Sequence, residues 1–325
     1  MHATTPFTAA SAVQRIRPGR QIEGISAVLL PFKGDNTFDL EAYANLLERT
    51  WKAGITPAVN MDTGYSNLLT EAERVQILDL VREVAAGRPF VAGCFVEDKT
   101  GDLKCNYLDQ IEKITSRGGT PILFQCTALK AMSDDQVVAL YTELGKATPR
   151  FLAFELGEMF VPFGRIYSLE TYERLMQIPS LAGAKHSSLD RGLEWARLEL
   201  RDRVRPDFKV YTGNDLAIDM VIYGSDYLLG LSAFYPEAFA LRDRLWAANR
   251  PEFFALNDVL QYLGFFAFRP PVPSYKHNAA QFLKLRGLIQ CDNTHPKAVA
   301  RPENDIPVLA DILARIDTLM ASITL

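Results

Sequence analysis

The sequence predicts an α/β fold, a (β/α)8 TIM barrel followed by a C-terminal helical extension. Short apolar, β-rich runs alternate with helical patterns between residues 24 and 233. Strands separated by whole helices pair in parallel through right-handed crossovers. A doubly wound sheet usually carries G-x-G-x-x-G after its first strand, and here that place holds FKGDN (residues 32–36). The missing glycine-rich loop therefore favours the closed barrel.

Each predicted element has its own pattern. The first helix presents apolar residues on one face and ends at Gly54; they are Leu40, Tyr43, Leu46, Leu47 and Trp51. Short apolar runs bounded by turn residues predict strands at 25–31, 56–61, 89–95, 121–126, 151–155, 181–185, 208–212 and 227–231. Further helices are predicted at 70–86, 103–118, 134–146, 168–177, 188–199 and 214–223.

The chain is expected to have three parts: an N-terminal arm at 1–23, the barrel at 24–233 and a helical region at 234–325. The arm has no acidic residue before Glu23 and weakly resembles a transit peptide, but an arm that is either disordered or strapped to the barrel is favoured. The helical region predicts helices at 235–248, 251–268, 275–287 and 303–323. We expect its phenylalanines to lie in the core; they are Phe253, Phe254, Phe265, Phe266 and Phe268.

Composition limits the function classes. Of 325 residues, 48% are hydrophobic, and 35 basic against 39 acidic residues give a net charge of −4. We therefore expect no nucleic-acid partner, and no apolar run reaches the roughly 20 residues that cross a bilayer. The four cysteines are scattered, which suggests a reducing, cytoplasmic compartment. No local spacing of histidines suggests a metal site, although ligands brought together from distant positions stay an alternative.

In a barrel, reactive side chains lie at the carboxyl ends of the strands and in the loops that follow. That rule selects Asp62, Thr63, Tyr65, Ser66, Thr127, Phe154, Glu155, Lys185, His186, Asn214 and Asp215. Asn214 and Asp215 are expected to cap the next helix. His186 is expected to be buried on the strand face opposite Lys185.

Lys185 stands out because it ends an otherwise apolar strand, LAGAK (181–185). A lysine directed into a barrel mouth loses hydration, which lowers its pKa and frees the neutral amine as a nucleophile. Such an amine condenses with a ketone or aldehyde to a Schiff base. A strand-end lysine that reaches solvent or pairs with a carboxylate is the alternative.

The segment GAKHSS (183–188) resembles the G-x-K-x-S-S signature of the dihydrodipicolinate synthase and N-acetylneuraminate lyase family. Further similar segments follow in the family's order: AVLLPF (27–32), DTGYS (62–66), LTEAER (69–74), GND (213–215), and Lys276 with GLI (287–289). The resemblance covers roughly residues 24–320. It implies a class I aldolase or lyase, typically tetrameric, that binds a 2-oxo acid such as pyruvate through an imine at the lysine. We expect no cofactor and no metal.

Several family positions have changed. The strand-five tyrosine that shuttles protons in the family falls at Phe154, which has no ionisable group. The hydroxyl pair that holds the substrate carboxylate becomes Asp62-Thr63, and an ionised aspartate would repel a carboxylate. CTAL (126–129) replaces the aromatic residues after strand four, and Arg165 is the candidate for the arginine after strand five.

The leading hypothesis is a Schiff-base-forming class I aldolase or lyase that acts on a small-molecule carbonyl compound through Lys185. Asp62, or a bound water, would replace the missing tyrosine in proton transfer; a turn-capping aspartate is the alternative. The predicted substrate-binding residues are Thr63, Tyr65, Ser66 and Phe154, with packing roles as the alternative for Tyr65 and Ser66. Two other hypotheses are a barrel that binds a ligand without catalysis, and a lysine-independent lyase or hydrolase with a metal at Asp62.

Overall fold

Eight short parallel strands close into a barrel in chain order, which confirms the predicted fold class. The computed structural model describes residues 9–324. The strands are β1 (Gly24–Ala27), β2 (Thr56–Val59), β3 (Val91–Cys94), β4 (Thr120–Leu123), β5 (Phe151–Leu156), β6 (Leu181–Ser187), β7 (Lys209–Thr212) and β8 (Asp226–Leu229). The barrel closes where β1 pairs with β8, with Ile25 opposite Leu228. Most predicted strands extend beyond the observed ones because the apolar run continues into the loop at the carboxyl end.

Helices surround the strands and continue beyond them. They are α1 (Ala9–Arg15), α2 (Leu40–Lys52), α3 (Glu71–Ala85), α4 (Leu103–Thr115), α5 (Thr127–Lys130), α6 (Asp134–Leu144), α7 (Leu169–Met176), α8 (Arg191–Val204), α9 (Pro236–Ala247), α10 (Glu252–Ala267), α11 (Tyr275–Leu285) and α12 (Asp305–Ser322). From α2 to α8 each helix start has a capping side chain that accepts a hydrogen bond from a backbone N–H of the first turn. Thr70 and Glu73, for example, form a reciprocal capping box at the start of α3. The helix predicted at 214–223 is wrong in type: a 3-10 helix occupies Ile218–Tyr223.

The core has two layers, one on each face of the strands. The inner layer fills the barrel with alternate strand side chains, among them Ile25, Leu152 and Phe154. The outer layer packs the other strand face against the helices. Because neighbouring residues on a strand face opposite layers, the sequence alternation decides which side chains reach the barrel mouth.

The arm lies at the amino-terminal end of the strands, opposite the barrel mouth. Arg20 forms a 2.7 Å ion pair with Asp226 at the start of β8, and the Arg15 guanidinium lies 5.2 Å from the centre of the Trp195 ring. Residues 1–8 of the predicted arm lie outside the described residues. No helix within residues 9–324 is long and apolar enough to span a membrane.

The C-terminal helices pack against the barrel rather than standing apart from it. The start of α11 reaches the barrel mouth, where Tyr275 hydrogen-bonds to Thr63 after β2. The predicted burial of the phenylalanines is wrong for two of them. Phe254 is 53% exposed and Phe265 54% exposed, because both lie on the outer face of α10.

Candidate active site

Lys185 lies on the inner face of β6 and is directed into the barrel mouth. In the strand register it lies beside Phe154 of β5 and Tyr211 of β7. Its side chain is buried, and its Nζ lies 4.4 Å from the centre of the Phe154 ring. Within residues 9–324, the Phe154 ring is the contact found for the Nζ, and no hydrogen bond or ion pair of the Nζ is found. Burial lowers the pKa of Lys185 to about 8, against the opposing negative charges of Asp215 and Asp62.

Asp62 lies in a short 3-10 turn after β2 and is held by two residues of α11. The Tyr275 hydroxyl donates to its Oδ2 at 3.0 Å, and Lys276 Nζ donates to its Oδ1 at 3.1 Å. Burial by itself would raise the pKa of Asp62. The Lys276 charge and these hydrogen bonds outweigh burial, so the pKa lies below its usual value. Asp62 is therefore an ionised carboxylate whose charge is balanced locally by Lys276.

Thr63 completes a directed chain of hydrogen bonds. Its Oγ1 lies 2.8 Å from the Tyr275 hydroxyl oxygen. A tyrosine has one hydroxyl proton, and Tyr275 gives it to Asp62, so Thr63 must donate to Tyr275. The chain runs from Thr63 through Tyr275 to Asp62.

Tyr65 and Ser66 follow in the same loop, and both are buried. The Tyr65 ring packs edge-on against Phe32 with ring centres 5.5 Å apart, and Lys276 Nζ lies 5.5 Å from the Tyr65 ring centre. The hydroxyl groups of Tyr65 and Ser66 have no hydrogen-bond partner in the part of the chain described. Buried hydroxyl groups usually have a hydrogen-bond partner, so these two are candidates for groups that a ligand satisfies.

The prediction that Asn214 and Asp215 cap the next helix is wrong, because neither residue caps a helix. Asp215 Oδ1 accepts a 2.8 Å hydrogen bond from the Leu231 backbone N–H, and Asn214 Oδ1 accepts one from Leu216 N–H. Burial raises the pKa of Asp215 to about 7, although the hydrogen bond from Leu231 and the Lys185 charge act in the other direction. The structure thus adds a second buried carboxyl group that acts electrostatically on Lys185. The GND segment (213–215) was the sequence signal for it.

Behind Lys185, on the outer face of the strands, lies a buried ionic network. Glu155 accepts two 2.6 Å hydrogen bonds from Arg197 and lies 2.8 Å from His186 Nδ1. Burial would raise the pKa of Glu155, but Arg197 and His186 lower it to about 2. His186 is fully buried on the face opposite Lys185, as predicted. The network fixes β5 to β6 at the level of the lysine.

The wall of the mouth is aromatic from β3 to β5. The Phe124 ring packs edge-on against Phe154 with centres 5.1 Å apart and lies 5.9 Å from Phe95. Phe124 directly follows β4 and supplies an aromatic ring to this wall, although CTAL (126–129) has none. Arg165 does not reach this wall. It pairs with Asp134 and donates to the Met132 carbonyl at 2.8 Å.

One residue selected from the sequence, Thr127, has other surroundings, and one functional candidate was missed. Thr127 is exposed and bonds to Glu97 at 2.6 Å. Tyr275 was not identified from the sequence, although its neighbour Lys276 belongs to the resembling C-terminal segment. Their adjacency was the available signal.

Gly213 gives Lys185 the room it occupies. A Cβ on Gly213 would overlap Ser187 Oγ and lie 2.7 Å from Lys185 Cε. We expect Gly213→Ala to displace the lysine and slow its reaction with a carbonyl compound by at least about tenfold, measured by borohydride trapping. Gly34→Ala is the matched control because no atom lies within 4 Å of the added Cβ. Equal trapping by Gly213→Ala and wild type would show that the position of Lys185 does not limit the reaction.

Similar proteins are known for most of the chain. A family model described as a protein of unknown function (DUF993) matches residues 30–318. A 4-hydroxy-tetrahydrodipicolinate synthase from Kosmotoga olearia is 25% identical over 215 residues, 63% of this chain and 68% of that protein. A Streptomyces avermitilis protein named probable 5-dehydro-4-deoxyglucarate dehydratase 2 is 30% identical over 189 residues, 56% of this chain and 53% of that protein. The crystal structure of dihydrodipicolinate synthase from Thermotoga maritima has the same fold, with a TM-score of 0.78 at 20% identity, covering 92% of this chain and 99% of that chain.

Proposed function

The chain belongs to the DUF993 family and is a divergent member of the wider dihydrodipicolinate synthase and N-acetylneuraminate lyase family, and from that premise we propose that it is a lyase that forms a Schiff base through Lys185. The observation that carries the proposal is the buried Lys185 amine at the carboxyl end of β6, which forms no ion pair with any residue among positions 9–324. The substrate is a 2-oxo acid or a related carbonyl compound. The two relatives named above are a synthase and a dehydratase, which supports a lyase-type reaction.

Imine formation begins with the neutral amine. The nitrogen lone pair of Lys185 attacks the carbonyl carbon, the C=O π pair moves to oxygen, and a proton passes from the nitrogen to that oxygen to give the carbinolamine. Protonation of its hydroxyl group then lets water leave as the nitrogen lone pair forms the C=N bond of the protonated imine. Asp215 is suited to the proton transfers of this sequence, because its pKa of about 7 and that of Lys185 near 8 lie close together. The carboxylate takes the ammonium proton, and the resulting acid gives it to the departing hydroxyl group.

The charge of Lys276 makes a carboxylate-bearing substrate more acceptable than the sequence suggests. An isolated Asp62 would repel a 2-oxo acid, but the Lys276 ammonium lies 3.1 Å from its Oδ1. The ammonium offsets that repulsion and also opposes a metal ion at Asp62, which favours the lysine-dependent reaction over the metal-dependent alternative. Thr63, Tyr65 and Ser66 are proposed to bind the substrate, and the Phe154 ring packs beside the imine. Tetrameric assembly and cytoplasmic location stay predictions.

The reaction should follow the ionisation of Lys185. The pKa of about 8 leaves the ammonium dominant below pH 8, so the initial rate of borohydride trapping should rise about tenfold per pH unit up to that point and then level off. Asp215→Asn removes a negative charge that raises this pKa, so its profile should level off at a lower pH. Asp311→Asn, on an exposed part of α12, is the control and should keep the wild-type profile. A rate that does not change between pH 6 and 9 would contradict the role of Lys185.

A further inference from the structure

The site holds a tyrosine hydroxyl that comes from outside the barrel strands. Phe154 offers no ionisable group on β5, yet the Tyr275 hydroxyl lies between Thr63 and Asp62 at the barrel mouth. We propose that Tyr275 of α11 is the proton-transfer residue that carries a proton between the substrate carbon and Asp62. This inference rests on the proposed imine at Lys185.

The position of the Tyr275 hydroxyl is fixed from several sides. Its ring stacks on Phe268 with centres 4.2 Å apart and planes at 16°. A Cβ on Gly230, just after β8, would lie 3.3 Å from the hydroxyl oxygen and 3.0 Å from Thr63 Oγ1. The absence of a side chain at Gly230 therefore leaves the room in which Thr63 and Tyr275 meet. A buried tyrosine held in this way keeps one orientation, so its side chain loses little conformational entropy when it reacts.

The hydrogen bonds also give the hydroxyl a direction. The proton of Tyr275 already points at the ionised Asp62, so the hydroxyl oxygen can accept a second proton only as the first one leaves. Lys276 holds the other carboxylate oxygen at 3.1 Å and keeps Asp62 in place as the acceptor. Both Lys276 and Tyr275 come from the first turn of α11. The start of this helix therefore orients Asp62, the proton acceptor, through Lys276 and also supplies Tyr275, the residue that carries the proton.

The step balances without any further reactant. The C–H bond beside the protonated imine breaks, and its electron pair forms the C=C bond of the enamine while the C=N π pair returns to the Lys185 nitrogen. The substrate proton moves to the Tyr275 oxygen as the Tyr275 proton moves to Asp62 Oδ2. One positive and one negative charge disappear together, so the net charge of this buried site is unchanged, and the reverse transfer protonates the enamine carbon.

The test separates imine formation from proton transfer. Wild type, Tyr275→Phe and Asp62→Asn are each incubated with pyruvate, or with the smallest 2-oxo acid that wild type accepts. One aliquot is reduced with borohydride to measure the imine. A second is held in D2O and followed by NMR for deuterium uptake at the carbon beside the carbonyl. Tyr172→Phe is the matched control, because its buried hydroxyl has no partner among the described residues and packs near Phe208.

At pH 9, where Lys185 is mostly neutral in wild type because its pKa is about 8, we expect both site variants to trap imine within about twofold of wild type and to exchange deuterium at least about 100-fold more slowly. Tyr172→Phe should match wild type in both measurements, and the melting temperatures confirm folding. Wild-type exchange by either Tyr275→Phe or Asp62→Asn would overturn the inference. A folded Tyr275→Phe that loses trapping and exchange in equal measure would also overturn it, because Tyr275 would then only shape the site. If wild type itself traps no imine, the proposed function fails and this inference with it.

Discussion

Lys185→Met should reduce imine trapping and turnover to the level of protein-free buffer while leaving the protein folded. Methionine fills a similar volume but has no amine, so no covalent intermediate can form. The wild-type ammonium is buried and has no hydrogen-bond partner within residues 9–324, so removing it relieves a desolvation cost. The free energy of unfolding of the variant, measured by urea denaturation at pH 7, should equal or exceed that of wild type.

The control for this substitution is Lys130→Met. Lys130 lies on the surface in α5, where it pairs with Glu158, and its loss should leave trapping and turnover unchanged. A folded Lys185→Met protein that still forms an imine would show that another amine is the nucleophile. One that still turns over substrate without an imine would support the lysine-independent hypothesis.

Glu155→Gln should lower the free energy of unfolding more than the removal of an exposed charge such as that of Glu143. It leaves the Arg197 guanidinium buried without its counter-charge, and His186 loses a carboxylate partner. Breaking a buried ion pair from one side typically costs about 3–5 kcal/mol. Urea denaturation at pH 7 measures the loss, and Glu143→Gln, which removes an exposed partner of Lys146, should change stability little.

The pH dependence of this effect has a defined sign. The pKa of Glu155 is about 2 in the folded protein, against 4.5 for an ordinary glutamate. A lowered pKa means that the ionised form stabilises the fold above pH 4.5 and that this contribution is lost as the pH falls toward 2. The stability gap between wild type and Glu155→Gln should therefore narrow below pH 4.5. A gap below about 1 kcal/mol at pH 7 would contradict the role of the network.

The sequence was enough to predict the barrel and the orientation of its central residue. Alternation along β6 placed Lys185 and His186 on opposite faces of the strand, and the expected position of reactive residues at the barrel mouth assigned the inner face to Lys185. Phe154 was identified from the family resemblance, and only the strand register shows that it lies beside the lysine. These local periodicities survive folding because each strand is buried on both faces.

The rest of the site could not be read locally. Tyr275 and Asp62 are separated by 213 positions, and no local pattern in α11 predicts which helix end reaches the barrel mouth. Asp215 was expected at a helix start, yet its partner is the Leu231 N–H across the loop after β8. The exposure of Phe254 and Phe265 on α10 was not predicted for a similar reason. Both residues fit an apolar helix, and only the packing of the helix decides which of its faces is covered.

The most direct test of the central claim is borohydride reduction of the wild-type protein with pyruvate and, separately, with a panel of 2-oxo acids and aldehydes, followed by peptide mass spectrometry. We predict a stable adduct on the peptide that contains Lys185 and none on the peptide that contains Lys276, the other buried lysine of the site. An adduct on Lys276, or no adduct with any compound from well-folded protein, would contradict the assignment of Lys185 as the Schiff-base residue.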